Sequence, residues 1–219
     1  MTFDDYLIDA KLHIETTGRD ESCADTQILP YEPTSYSVLD RLADSGLITD
    51  RDHLIDYGSG KGRAVIYLFD RTGCRATGIE VARRFHEKAI KNLVSYSDGR
   101  EVPVVFQCTK AQDYILPDTA NRLFFFNPFH FRTLKRVMTQ VLDSCRKVPR
   151  HIRMFFYYPQ NAYIAYLTGI EEVMFYDEID CRDLFEEDDD RNRIMIFDIS
   201  VEGFISDRLS AAGPFGKPY

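Results

Sequence analysis

The 219-residue sequence has no tryptophan, no long apolar run and only five cysteines. Those cysteines, Cys23, Cys74, Cys108, Cys145 and Cys181, are odd in number, scattered, and never form a Cys-x-x-Cys pair. That spacing argues against a disulfide framework or a structural zinc site and leaves free thiols in a reducing compartment as the expectation. No apolar stretch approaches the ~20 residues of a membrane span. The opening residues MTFDDYLIDAK carry neither a basic region nor an apolar core, so no secretory signal is expected, and a cytoplasmic location follows. Basic charge is in deficit: 27 Lys and Arg stand against 35 Asp and Glu, a formal net charge of −8. Bulk nucleic-acid binding driven by phosphate contacts is therefore disfavoured, although a local basic groove remains compatible with that total.

What is present is the composition of a globular domain, 44% hydrophobic and 28% charged, with 16 Phe and 13 Tyr to fill a core. Phe3, Tyr6, Leu7, Ala10 and Ile14 recur at helical spacing and predict a helix from Phe3 to Thr16. Gly18 to Gln27 reads as a loop, and Pro30-Tyr31-Glu32-Pro33-Thr34 as an extended break. A second helix is expected from about Ser35, ended by Gly46. Seven strand candidates follow: His53–Tyr57, Ala76–Ile79, Val102–Phe106, Leu123–Phe126, Arg153–Tyr158, Glu172–Asp177 and Arg193–Ser200. Helical patterns lie between the first five. Continuous apolar strands alternating with helices predict an α/β fold, a mostly parallel sheet with helices on both faces. The last two strands, joined by the acidic run Glu186 to Asp190, read as a hairpin that makes the last strand antiparallel. That run is taken as a solvated loop, not a metal site, and no metal is expected.

The segment Leu54-Ile55-Asp56-Tyr57-Gly58-Ser59-Gly60-Lys61-Gly62-Arg63 carries most of the functional argument. An apolar strand runs into glycines at alternate positions and then into an apolar helix, allowing a tight turn and a close approach to the backbone. A dinucleotide fingerprint would need glycine where Arg63 stands, which also disfavours a nicotinamide-dependent dehydrogenase. A phosphate-binding P-loop fails because Gly62 follows Lys61, and a nucleophile elbow fails at Tyr57. What remains is Asp-x-Gly-x-Gly-x-Gly. Glu80, 22 residues after Gly58 in Gly78-Ile79-Glu80, is at the spacing of an acid that accepts both hydroxyls of a ribose.

This pattern resembles the first cofactor motif of the class I S-adenosylmethionine-dependent methyltransferases. The resemblance runs from about Tyr31 to Ser200, and is nearest to small bacterial methyltransferases of unassigned substrate that share the YEPT, DYGSGKGR, GIE and FFFNPF segments. It implies a Rossmann-like seven-stranded methyltransferase sheet. One domain is expected over 1–209, with an N-terminal helical cap (1–50), a core (51–200) and a flexible tail (210–219). It implies S-adenosylmethionine as cofactor, with Asp56 fixing the loop near the amino-acid end and Gly58, Ser59 and Gly60 passing beneath it. The Tyr31-Glu32-Pro33-Thr34 segment is similar to the loop of disruptor-of-silencing histone lysine methyltransferases that covers the methionine end, which brings in Tyr31 and Thr34. Ala111 is placed among the cofactor contacts. Its neighbour Lys110 stands where the family usually has an acid for the adenine amino group. Lysine cannot accept that hydrogen bond, so Asp113 or a backbone carbonyl is left to do so.

Phe126-Asn127-Pro128-Phe129 is similar to the Asn/Asp-Pro-Pro-aromatic segment of amino-group methyltransferases, without the second proline. Asn127, Pro128 and Phe129 are therefore the expected catalytic residues. The Asn127 amide would hold an amine's N–H groups and Phe129 would pack on the acceptor or face the methyl. A plainer reading has Asn127 capping a helix that Pro128 begins. His130 is the nearest possible base, and Tyr157 and Tyr158 either line the substrate pocket or pack. The resulting expectation is methyl transfer to an amine, or to a hydroxyl, on a small molecule or protein. The alternative is a non-catalytic cofactor-binding or interaction module.

Overall fold

A computed structural model of the chain describes residues 3–22, 30–187 and 189–199. Cys23, the loop end at Gln27, Asp188 of the acidic run, Ser200 and the expected tail lie outside the described residues. The elements run α1 (Phe3–Lys11), α2 (Tyr36–Asp44), β1 (His53–Tyr57), α3 (Arg63–Thr72), β2 (Arg75–Glu80), α4 (Arg83–Ser97) and β3 (Val104–Cys108). They continue through β4 (Arg122–Phe126), α5 (Phe131–Lys147), β5 (Ile152–Tyr157), α6 (Asn161–Leu167), β6 (Val173–Asp180) and β7 (Arg193–Ile199).

The seven strands form one sheet in the order β3-β2-β1-β4-β5-β7-β6. Neighbours from β3 through β5 pair parallel, and β7 is antiparallel to both β5 and β6. Because side chains alternate across a strand, each strand contributes to two cores. Leu54, Phe124, Phe155 and Ile196 face one side, packed with Leu39 and Leu42 of α2 and Val65 to Leu68 of α3. Ile55, Leu123, Phe156 and Phe197 face the other, packed with Leu134, Val137, Met138 and Val141 of α5 and Tyr163 of α6. Helices on both faces explain why the central strands are apolar on both sides rather than alternating. Within the second core Tyr57, Phe125 and Phe156 stack across three adjacent strands at 5.0 and 4.5 Å between ring centroids.

Four sequence expectations need correction. Strand β3 begins at Val104, past Pro103, which has no N–H for the ladder and instead offers its carbonyl to Ala76 N at 3.0 Å. Between β3 and β4 there is no helix, only a 3-10 turn at Ala111–Asp113; Pro117 stands in the stretch that a helix would have needed. Helix α1 stops at Lys11, short of Thr16, with His13 at φ 57°. Its buried face is also not the expected one: Tyr6 and Leu7 are 58% and 53% exposed, whereas Asp5 and Asp9 are buried. The reason lies in α3, whose first residue, Arg63, is itself buried and needs those carboxylates.

Candidate active site at the carboxyl edge of the sheet

From β1 the chain winds outward through β2 to β3, and from β4 it winds the opposite way. The strand order therefore reverses between β1 and β4, and a crevice opens beyond their carboxyl ends. The glycine loop leaves β1 there, and Asn127-Pro128-Phe129 leaves β4 beside it. A cavity of about 320 Å³ fills the crevice. All eleven expected site residues line it: Tyr31, Thr34, Asp56, Gly58, Ser59, Gly60, Glu80, Ala111, Asn127, Pro128 and Phe129.

The glycine loop is spent on the protein's own acceptors. Gly58 and Ser59 N–H both donate to the Ile79 carbonyl at 2.9 Å, Gly60 N–H donates to Glu80 Oε2 at 2.9 Å, and Gly62 N–H to the Ser59 carbonyl at 2.8 Å. A loop that cradles phosphate must present such N–H groups to the ligand; these four are already occupied. The close approaches the glycines allow are also internal. Gly58 (φ 82°) and Gly60 (φ 53°) have positive φ. A Cβ at Gly58 would overlap Pro128, and one at Gly60 would overlap the ring of Tyr31. The glycines thus let two other walls of the cavity close onto the loop.

Glu80 clasps the loop from the end of β2. Its other oxygen, Oε1, accepts Ala82 N–H at 2.7 Å. A carboxylate has more acceptor positions than these two bonds use, and Glu80 lines the cavity. Burial raises the Glu80 pKa, and the backbone hydrogen bonds from Ala82 and Gly60 oppose that rise. Asp56 is deeper, and burial followed by the charge of Glu80 pushes its pKa up to about 8. Ser59 Oγ is buried and has no hydrogen-bond partner among the described residues.

On the opposite wall Asn127 takes positive φ (40°), and so does Tyr158 (φ 50°) at the end of the neighbouring strand β5. Non-glycine residues in this region are uncommon, and two side by side mark a site held under constraint. Asn127 Nδ2 donates to the Tyr158 carbonyl at 2.6 Å, and Asn127 Oδ1 is buried without a partner among the described residues. Asn127 is not a helix cap: α5 begins at Phe131 and the residue before it is His130. Phe129 is buried edge-on against Tyr57 and Phe125, and its carbonyl accepts the Tyr163 hydroxyl.

His130, Asp113, Tyr157 and Tyr158 do not line the cavity, whereas Lys110 and Gln112 do. The sequence reading missed Arg63 as a site residue. Arg63 lines the cavity, and its buried guanidinium lies 3.1 Å from Asp5 Oδ1 and 3.6 Å from Asp9 Oδ1. It also donates to the Thr34 carbonyl at 3.2 Å and to Thr16 Oγ1 at 2.7 Å, and stacks over the Tyr36 ring at 4.3 Å. Burial pulls the Asp9 pKa up, but hydrogen bonds from Tyr36, Thr16 and Thr17 outweigh it and hold the carboxyl below its ordinary value. This cluster straps the N-terminal segment, with Thr34, against the start of α3. The available signal was two aspartates four residues apart on a helix otherwise read by its apolar stripe.

No family model matches the chain, and no curated protein matches it in sequence. Solved structures do match. The human methyltransferase 10 domain containing protein has a TM-score of 0.57 at 15% identity, over 90% of this chain and 93% of that one. An RNA methyltransferase from Salinibacter ruber in complex with S-adenosyl-L-homocysteine has a TM-score of 0.51 at 19% identity, over 78% and 95%. An rRNA methylase from Streptococcus thermophilus has a TM-score of 0.53 at 14% identity, over 78% and 98%. The chain has the class I methyltransferase fold.

Proposed function

We propose that the chain is an S-adenosylmethionine-dependent methyltransferase whose acceptor atom is an amine nitrogen. The observation that carries this reading is the Asn127 amide. Asn127 lines the cavity; its nitrogen is tied to Tyr158, so its buried oxygen, unpartnered among the described residues, is the end left to accept an N–H from an acceptor amine. The other wall suits the cofactor. Glu80 lines the cavity as an acceptor for ribose hydroxyls, Asp56 offers a buried carboxyl to the amino-acid end, and Ser59 Oγ lacks a partner among the described residues. The occupied loop N–H groups suit a nucleoside without phosphates. When bound, S-adenosylmethionine supplies a methyl group already activated by positive sulfur.

The chain's residues then have positioning work. Asn127 Oδ1 accepts an amine N–H and so directs the nitrogen lone pair; Pro128 holds that turn against Gly58; Phe129, Tyr31 and Thr34 wall the cavity from water. A net charge of −8 favours a small molecule or a protein over RNA. RNA methyltransferases of the same fold make RNA the third acceptor to assay.

The test is calorimetry with S-adenosylhomocysteine, followed by labelled methyl transfer to polyamines, lysine peptides and RNA. Homocysteine-product binding and transfer to an amine are expected. Asn127→Ala should keep that binding within about twofold while turnover falls about a hundredfold, the scale of losing one aligned hydrogen-bonding group at a reacting centre. No binding at millimolar ligand by folded protein would overturn the cofactor assignment. Full turnover by Asn127→Ala would overturn the role of Asn127.

A further inference from the structure

The orientation of the Asn127 amide is set from outside the cavity. Its nitrogen bonds to a main-chain carbonyl, that of Tyr158, and Tyr158 is a non-glycine residue at φ 50°. A backbone in that conformation relaxes unless its surroundings hold it. Three contacts hold it. The Tyr158 N–H donates to the Arg193 carbonyl at 3.0 Å. The Tyr158 hydroxyl donates to Asp189 Oδ2 at 2.6 Å. The Arg191 guanidinium lies 4.4 Å over the Tyr158 ring while gripping Asp189 through Nε at 3.0 Å and Nη2 at 2.7 Å. Asp189 and Arg191 belong to the acidic connection between β6 and β7, and neither lines the cavity.

We propose that Tyr158, locked by Asp189 and Arg191, is a positioning residue that fixes the Asn127 amide with its oxygen toward the acceptor. The proposal rests on the amine-methyltransferase reading for its purpose, but its geometry stands without it. An amide free to rotate would also present its NH2 to the acceptor's N–H groups, placing a donor against a donor. The charged acidic loop, an unremarkable solvated hairpin by sequence, thereby acts on the reacting end of the site through one hydroxyl.

The test uses the full chain and needs no identified acceptor. Sinefungin, an adenosyl amino acid with a primary ammonium on the carbon that replaces the sulfonium, places an N–H donor at the transfer point; S-adenosylhomocysteine has none. The ratio of their calorimetric affinities reads the Asn127 oxygen. Asn127→Ala should lower the sinefungin preference about fivefold, and Tyr158→Phe and Asp189→Ala about threefold each, the scale of one hydrogen bond weakened or lost. S-adenosylhomocysteine affinity should stay within about twofold. Asp189→Asn, which still offers an acceptor to the Tyr158 hydroxyl, should restore most of the preference. In parallel, the Asn127 side-chain NH2 signals should show slow solvent exchange in the wild type and faster exchange in Tyr158→Phe. A Tyr158→Phe protein with wild-type preference and wild-type amide exchange overturns the proposal. If neither nucleoside binds, the cofactor reading fails, and the exchange measurement still decides the lock.

Discussion

Replacing Glu80 by glutamine changes one oxygen for a nitrogen and tests the clasp between β2 and the glycine loop directly. The two carboxylate oxygens accept from different N–H groups, Oε2 from Gly60 at 2.9 Å and Oε1 from Ala82 at 2.7 Å. A carboxamide has only one accepting end. Whichever way it turns, its NH2 faces a backbone N–H, so one buried donor loses its acceptor. Losing a hydrogen bond to a charged group and stranding its partner costs about 1.5–3 kcal/mol. Relief of burying a charge beside Asp56 offsets part of that, leaving a net loss of about 1–3 kcal/mol. For a chain of this size that lowers Tm by about 3–10 °C. The same amide end no longer accepts a ribose hydroxyl, so S-adenosylhomocysteine should bind about tenfold to a hundredfold more weakly. Thermal unfolding by circular dichroism and calorimetry read the two effects. Reduced stability with unchanged affinity would leave the clasp and refute the ribose role. Wild-type stability and affinity together would refute the whole argument.

Asp56→Asn should flatten the pH dependence of stability. Its carboxyl is raised to about 8 by burial and by Glu80, so the folded protein holds this proton more tightly than the unfolded chain. That contribution is full below the ordinary carboxylate pKa and is lost as pH rises through about 8. Urea unfolding at pH 5 and pH 8.5 should therefore show a smaller decline in Asp56→Asn than in the wild type, and an equal decline would count against a protonated Asp56. Arg63→Ala should cost about 3–5 kcal/mol by removing the counter-charge of the buried Asp5 and Asp9. Hydrogen exchange across residues 3–17 should rise with it, and protection unchanged from wild type would show that the N-terminal strap is held by other contacts.

Much of the fold was legible because its signals are local. The runs at 53–57, 122–126 and 152–157 are dominated by apolar residues, and α5 repeats apolar residues on one helical face. The glycine loop and Glu80 were legible because a fixed spacing along the chain carries an acid to the next strand's end. The errors came where tertiary demands overrode local pattern. Asp5 and Asp9 displaced Tyr6 and Leu7 from the buried face of α1 because a buried guanidinium, 58 residues from Asp5, required counter-charges. Asn127 reads locally as a good helix cap, and only its bond to Tyr158 removes it from that role.

The sequence by itself determined the alternation of strands and helices, the mismatch of the glycine loop to the phosphate-binding motifs and the carboxylate that follows it, since each depends on residues close along the chain. Only the tertiary structure decided that Asn127 and the glycine loop line one cavity, because that meeting requires β4 to lie beside β1 at the reversal of strand order. It alone decided which end of the Asn127 amide is free, which is set by a backbone carbonyl 31 residues away. It also decided that Arg63, which by sequence only excluded other motifs, binds the N-terminal segment to the site through buried charge.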